Sequence, residues 1–189
     1  EIMHDSMLGQ GGFGKVFLAR NPHTQEEVAI KCVEIHDDLR RHLFRNECYI
    51  LDLVQGCPHL VQAVGDPKEE GEHGYIFLEL AQSSLLRMIT KLRRSHGGDH
   101  QMLLERVRPT FQLIVQGVQE LHARGIVHRD IKVDNVLLVE TKAPTKETKE
   151  PPSALPAVKI SDFGLAFCRN PSSLASASTR IAARVTVST

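Results

Sequence analysis

The 189-residue chain has no tryptophan and only two tyrosines, and aromatic side chains make up 5% of it. A core must therefore come mainly from the aliphatic part of its 41% hydrophobic residues. The four cysteines, Cys32, Cys48, Cys57 and Cys168, include no pair at Cys-x-x-Cys spacing. That argues against a disulfide framework or a structural zinc site, and reduced thiols fit a cytosolic or nuclear setting. The ten histidines form no ligand-like cluster, so no metal centre is expected from them. Net charge is lacking too: 23 basic and 23 acidic residues cancel. Nucleic acid and anionic membrane are thus not expected as main partners. No apolar run reaches the roughly 18–20 residues of a membrane span. Glu1 opens the chain with no charged-then-apolar leader, and the expectation is a soluble, intracellular protein, cytoplasmic or nuclear.

What is present divides near residue 80. Lys15–Arg20 and Glu27–Val33 are strand-like, with Asn21-Pro22-His23-Thr24 as the turn between them. Asp38 to Val54 places Leu39, Leu43, Ile50, Leu51 and Val54 among charges and predicts an amphipathic helix. Leu60–Val64 and Tyr75–Leu80 flank polar Asp66–Gly74, which predicts a hairpin with a long loop. Further on, Ser84–Arg94 predicts a short helix and Ser95–His100 a loop. Phe111, Ile114, Val118 and Leu121 then keep helical spacing up to a stop at Gly125. Glu140–Ala157, with four prolines and alternating Lys and Glu, reads as a disordered insertion between short strands at Val136–Val139 and Val158–Ser161.

Leu8-Gly9-Gln10-Gly11-Gly12-Phe13-Gly14-Lys15-Val16 contains Gly-x-Gly-x-x-Gly, whose glycines let a backbone approach a phosphate chain. A dinucleotide-binding unit needs a helix next, but a strand, a turn and a second strand follow here. Valine after Gly14-Lys15 also excludes a Walker A loop. On the next strand, period-two alternation puts Ala29, Lys31 and Val33 on one face. Glu47 falls in the series Leu43, Glu47, Leu51 on the helix stripe. A carboxylate there is costly unless paired, and Lys31 is its natural partner; the bland alternative sets Glu47 at the wet margin of the stripe.

His128-Arg129-Asp130-Ile131-Lys132-Val133-Asp134-Asn135 decides the reading. Five fixed residues at roughly 5% usage each give a chance match on the order of 10⁻⁴ or less. Asp130 can accept or orient a hydroxyl proton, Lys132 can neutralise a transferring phosphoryl group, and Asn135 can ligate a metal through its carbonyl oxygen. Asp162-Phe163-Gly164 adds a second metal-binding carboxylate, although alone it would be an ordinary strand-end turn.

From Leu8 to about Phe167 the chain resembles the eukaryotic protein kinase family, of the Ser/Thr type, in motif order and near-family spacing. The resemblance implies an α+β, two-lobed fold. A β-rich N-terminal lobe with one long helix would span 1–80, a hinge 79–83, and a mainly helical, incomplete C-terminal lobe 84–189. It implies ATP in the cleft, held by residues 8–16, Lys31, and the backbones of Glu79 and Ala81, with Val16 and Ala29 above the adenine and Leu137 below. Asn135 and Asp162 would hold Mg²⁺. Leu78 would be the gatekeeper, and Leu51, His128 and Phe163 would match a regulatory hydrophobic spine. Lys132 resembles the pattern for Ser/Thr acceptors in protein substrates. Arg129 resembles members activated by loop phosphorylation, with Ser172, Ser173, Ser176, Ser178 and Thr179 as candidates.

The insertion is longer than the family's turn, and no Ala-Pro-Glu follows Asp162-Phe163-Gly164. From these departures the expectation is a truncated catalytic domain, a poor kinase as it stands. The competing reading is a non-catalytic, kinase-like binding module.

Overall fold

A computed structural model describes residues 2–12, 14–95, 100–139 and 157–169. Two predicted strands, Lys15–Arg20 and Glu27–Val33, lie inside its main sheet. Asn21 turns the chain between them: its Oδ1 accepts the N–H groups of His23 at 2.9 Å and Thr24 at 3.3 Å, the side-chain mimic of a backbone turn. The sheet is five-stranded and antiparallel, in the order β1-β2-β3-β5-β4. Its strands are β1 Ile2–Gly11, β2 Gly14–Arg20, β3 Glu27–Glu34, β4 Lys68–Glu70 and β5 His73–Glu79. The run Ala29–Lys31 in the middle of β3 is buried, as a central strand covered on both faces should be.

The predicted long hairpin needs correction. The strand that turns back onto β5 is β4, through Gly71 (φ 58°) and Glu72. Leu60–Val64 makes only isolated bridges, Ala63 to Leu78 and Leu60 to Ile160. Lys68-Glu69-Glu70 has no apolar pattern to announce a strand; backbone pairing holds it at the sheet edge, and ion pairs fix Glu69.

Helix α1, Asp38–Leu53, is capped by Asp37, whose carboxylate accepts the Arg40 N–H at 2.7 Å. Its buried face includes Phe44, Glu47, Cys48 and Leu51. Leu39, expected in the stripe, is 68% exposed. Five residues before Phe44, it lies about 140° round the helix and points to solvent.

After β5 the chain forms the helices α2 (Leu85–Ser95) and α3 (His100–Ala123). Helix α3 starts well ahead of the predicted periodic segment and runs through Pro109. Gly125, at φ 69°, lies just past its end, as predicted. Phe111 does not share the buried face: it is 63% exposed while Ile114 and Leu121 are buried. Three short strands, β6 Ser83–Ser84, β8 Val136–Val139 and β9 Ala157–Ile160, form a second sheet in the order β6-β8-β9, against which α3 packs. A two-stranded ladder joins β7 Ile126–Val127 to β10 Phe167–Cys168.

The architecture is the two-lobed α+β arrangement anticipated, a β-rich part with one long helix followed by a part with two further helices. One core cluster, chiefly aliphatic, reaches from Ile35 and Phe44 through Leu60 and Ile76 to Leu121, Ile160 and Phe163. Among the described residues no helix is long and apolar enough to cross a membrane. Of the predicted loop Ser95–His100, Ser95 ends α2 and His100 starts α3, and Ala157 of the predicted insertion opens β9. Phe13, residues 96–99, 140–156 and the serine-rich stretch with its candidate phosphorylation positions lie outside the described residues.

Candidate active site

Lys31 sits mid-strand on β3, opposite Val16 on β2 and Ile76 on β5. Its Nζ donates to Glu47 Oε1 at 2.6 Å and Oε2 at 2.8 Å, and to Asp162 Oδ1 at 2.7 Å. Both Lys31 and Glu47 are buried, at 6% and 3% exposure. The wet-margin alternative for Glu47 is thereby excluded. Burial works against the Lys31 ammonium, but the charges of Glu47 and Asp162 outweigh it and hold its pKa above the ordinary lysine value. The second partner, Asp162, was not anticipated. It lies 131 residues along the chain, and no local pattern signals such a pairing. Its backbone is in the left-handed region (φ 68°), a strained choice for a residue with a side chain. The turn buries Phe163 completely while the Asp162 side chain stays in reach of Lys31.

The second half of the site lies between β7 and a short 3-10 turn, Val133–Asn135. His128 is buried and meets the Phe163 ring edge-on at 5.4 Å. Its Nε2–H donates to the Ser161 carbonyl at 3.0 Å and its Nδ1 accepts the Asp130 N–H at 3.3 Å. That pair of bonds needs the neutral ring, and burial holds the His128 pKa below the ordinary value. Arg129, also at positive φ (66°), donates to the Leu165 carbonyl and lies 5.8 Å from the Phe167 ring centre.

Asp130, Lys132 and Asn135 converge. Lys132 Nζ donates to Asp130 Oδ2 at 2.7 Å, and that bond comes first among the causes holding the Asp130 carboxyl below the usual carboxylate range. Asn135 Nδ2 donates to the same Oδ2 and to the Asp130 carbonyl, both at 3.0 Å. The Asn135 amide nitrogen is therefore committed, and its carbonyl oxygen is the end left to act as a ligand. Ser161, next to Asp162, donates its N–H and hydroxyl to the Asn135 backbone carbonyl at 2.8 and 3.1 Å, leaving the side-chain Oδ1 untouched. This ties the two candidate metal ligands together. No cluster of three or more His, Cys, Asp or Glu able to hold a metal occurs among the described residues. One carboxylate and one amide oxygen suit Mg²⁺, which keeps several waters and takes the remaining ligands from phosphate.

The glycine-rich segment is the β1–β2 hairpin, paired Gly9 to Val16, Gln10 to Lys15 and Gly11 to Gly14. A Cβ added at Gly9, Gly11 or Gly12 would meet open space, room a ligand could use. Gly14 differs: at φ 139° its Cβ would fall 2.2 Å from the Cys32 carbonyl oxygen. Lys15 is exposed on the hairpin, whereas Ala29 is buried and pairs with Leu18 and Leu78. Leu137, on β8, pairs with Ser84 and Lys159. The Glu79 N–H is already donated to the Gln62 carbonyl at 3.0 Å, and Ala81 lies beyond the end of β5. Leu51, His128 and Phe163 are all buried. Sequence reasoning also missed Asn46, whose amide donates to the Ala166 carbonyl at 2.9 Å. It missed Lys159 and Gln62 as well, which fix the Glu79 carboxylate at 2.8 Å each.

The family model described as "Protein kinase domain" matches residues 3–183. MAP kinase kinase kinase mkh1 of Schizosaccharomyces pombe is 34% identical over 145 residues, 72% of this chain and 12% of that protein. The serine/threonine-protein kinase grp of Drosophila melanogaster is 33% identical over 161 residues, 84% of this chain and 27% of its own length. CBL-interacting serine/threonine-protein kinase 12 of Arabidopsis thaliana is 32% identical over 162 residues, again 84% of this chain and 28% of the relative. The chain thus spans well under a third of these curated relatives. With the match covering nearly all of it, the chain belongs to the protein kinase family.

Proposed function

We propose that this chain carries the site for ATP-dependent phosphoryl transfer to serine and threonine hydroxyls of protein substrates. One observation supports the reading above the rest. The Lys31–Glu47 pair bonds to the Asp162 carboxylate, and the Asp130–Lys132–Asn135 network is tied to the residue before it, Ser161, through the Asn135 backbone carbonyl.

Each group has work to do in that chemistry. Lys31, kept charged by its carboxylates, is placed to hold the phosphates of ATP beneath the glycine hairpin. Asp130, kept ionised by Lys132, accepts the proton of the acceptor hydroxyl as its oxygen bonds to the γ-phosphorus and the bond to the departing ADP breaks. Lys132 offsets charge on the transferring group. Asn135 and Asp162 are the residues that would hold Mg²⁺, whose contribution when bound is to neutralise phosphate charge. Val16, Ala29, Leu137 and the backbone past β5 would enclose the adenine. The relatives named as serine/threonine kinases support the choice of acceptor. Four free cysteines fit an intracellular site, cytoplasmic or nuclear. No observation favours the non-catalytic reading, since every group the chemistry needs is present and partnered.

The test is peptide phosphorylation by the full-length protein and its Lys31→Met and Asp130→Asn variants. Both variants should lose about 10²–10⁴-fold in turnover, with Ser and Thr peptides labelled and Tyr peptides inert. Wild-type-like turnover in either variant, or labelling dominated by tyrosine, would overturn the assignment.

A further inference from the structure

Several cations in the described structure are answered by carboxylates. Arg20 pairs with Glu27, Arg41 and Arg45 with Glu69, Lys132 with Asp130, and Lys159 with Glu79. Helix α2 has no such pair among the described residues. Its sequence, LLRMITKLRRS, holds four cations and no acid. Arg87, Lys91, Arg93 and Arg94 are exposed, and among the described residues none has a carboxylate partner. Arg93 and Arg94 have a local reason to be there, because the last turn of a helix favours positive charge. Arg87 and Lys91 have none. They lie one turn apart with the same sign and repel each other.

Arg87, Lys91 and Arg94 recur at i, i+4 and i+7, so they share one face of the helix. With Leu86, Thr90 and Ser95 they line a depression of about 370 Å³. Its position matters as much as its charge. Arg87 Nη2 donates to the Leu8 carbonyl at 3.3 Å, at the start of the glycine-rich segment. The other side of α2 packs against the Val133–Asn135 turn that ends the catalytic segment. The basic face therefore begins at the lip of the proposed nucleotide cleft and runs outward.

We propose that this face of α2 docks an acidic segment, Asp and Glu side chains, of the protein substrate; this rests on the kinase reading above. From Arg87 to Arg94 the helix rises about 10 Å, which an extended chain covers in about three to four residues. Leu86 gives that chain an apolar floor, and the three cations give it counter-charges at spacings a run of acids can match.

The experiment measures fluorescence anisotropy on the full-length protein with four serine peptides: one with four consecutive Glu, one with Gln in their place, one with Lys in their place, and one with a single phosphoserine instead. The Glu peptide should bind about tenfold more tightly than the Gln peptide, and the difference should shrink as salt rises. Lys91→Glu/Arg94→Glu, both on the exposed face, should abolish the preference and turn it toward a Lys-substituted peptide. Equal affinity for the Glu and Gln peptides would overturn the proposal. So would a preference that survives the double variant, tight binding by the phosphoserine peptide alone, or an RNA oligomer or phosphatidylserine vesicle held on this face and not displaced by the Glu peptide. Because binding is read without turnover, an intact preference with no peptide phosphorylated would sink the kinase reading and leave the acidic-segment site standing.

Discussion

Replacing Lys31 by methionine separates structure from chemistry at the site. The side chains of Lys31 and Glu47 are 8% and 4% exposed, and three short bonds from one ammonium reach Glu47 and Asp162. Methionine keeps roughly the volume and removes the charge. Asp162, 26% exposed, can turn to water, whereas Glu47 cannot. Removing one partner of a buried ion pair costs about 3–5 kcal/mol, a large share of the roughly 5–15 kcal/mol that holds a domain folded. Burial already holds the Glu47 pKa above the ordinary glutamate value, although Lys31 draws it down. Without Lys31 it rises further, so the added deficit is absent at acid pH, where Glu47 is protonated, and grows as pH rises toward the raised folded pKa. Adding Glu47→Leu removes the orphan, and Lys31→Met/Glu47→Leu should regain most of the loss, to within about 1–2 kcal/mol of wild type. Both variants should be catalytically dead. With no tryptophan to report unfolding, far-UV circular dichroism in urea is the assay. A single variant within about 1 kcal/mol of wild type at pH 8, or a double variant no more stable than the single, would refute the reasoning.

Three other perturbations test separate parts of the structure. Burial pushes the Glu69 carboxyl up, but Arg45 and Arg41 outweigh burial and hold it below the ordinary glutamate value; its contribution, about 1 kcal/mol, is full above the unfolded pKa and lost as pH falls through the depressed one. Glu69→Gln should flatten that acid limb in urea midpoints, and an unchanged limb would remove the role. Lys132→Ala should move the acid limb of kcat/KM to higher pH, because the bond that depresses the Asp130 pKa is gone; a limb that stays put counts against the assignment. Gly14→Ala should destabilise by at least about 1–3 kcal/mol, since its Cβ would meet the Cys32 carbonyl oxygen at 2.2 Å; a wild-type melt would show that the β1–β2 hairpin shifts freely.

How much of this was legible in the sequence depends on the range of the force involved. Alternation placed β2 and β3, and a 3.6-residue period placed most of α1, because one buried face imposes its repeat on the local sequence. Glu47 was legible for the same reason, as a charge sitting where the period demanded an apolar residue. Strand β4 was not, since an edge strand of charged residues is held by backbone bonds that leave no pattern. Leu39 and Phe111 misled because an apolar residue beside a stripe looks like part of it until the angle is known. The contacts of Asp162 with Lys31, Asn46 with Ala166 and Arg87 with Leu8 join distant segments, and only the fold reveals them.

Those long-range bonds also explain what holds the two halves of the site in register. Asn135 and Ser161 adjoin Val136 and Ile160, which face each other in the β8–β9 ladder. The donors on that side are therefore fixed by strand pairing and by Ser161. Lys31 is fixed just as firmly in the middle of the large sheet, between β2 and β5. Between these two rigid parts stands α1. Glu47 binds Lys31, and one residue earlier Asn46 binds the carbonyl of Ala166 on the segment that follows Asp162. Arg41 and Arg45 anchor the helix to Glu69 at the sheet edge, with bonds of 2.7 and 2.8 Å. A shift of α1 would loosen its hold on Lys31 and on the Asp162–Ala166 turn together. Misplacement of about 1 Å is enough to cost on the order of 10²-fold in rate, so the seat of α1 governs the chemistry although, apart from Glu47, none of its residues is assigned a part in the reaction.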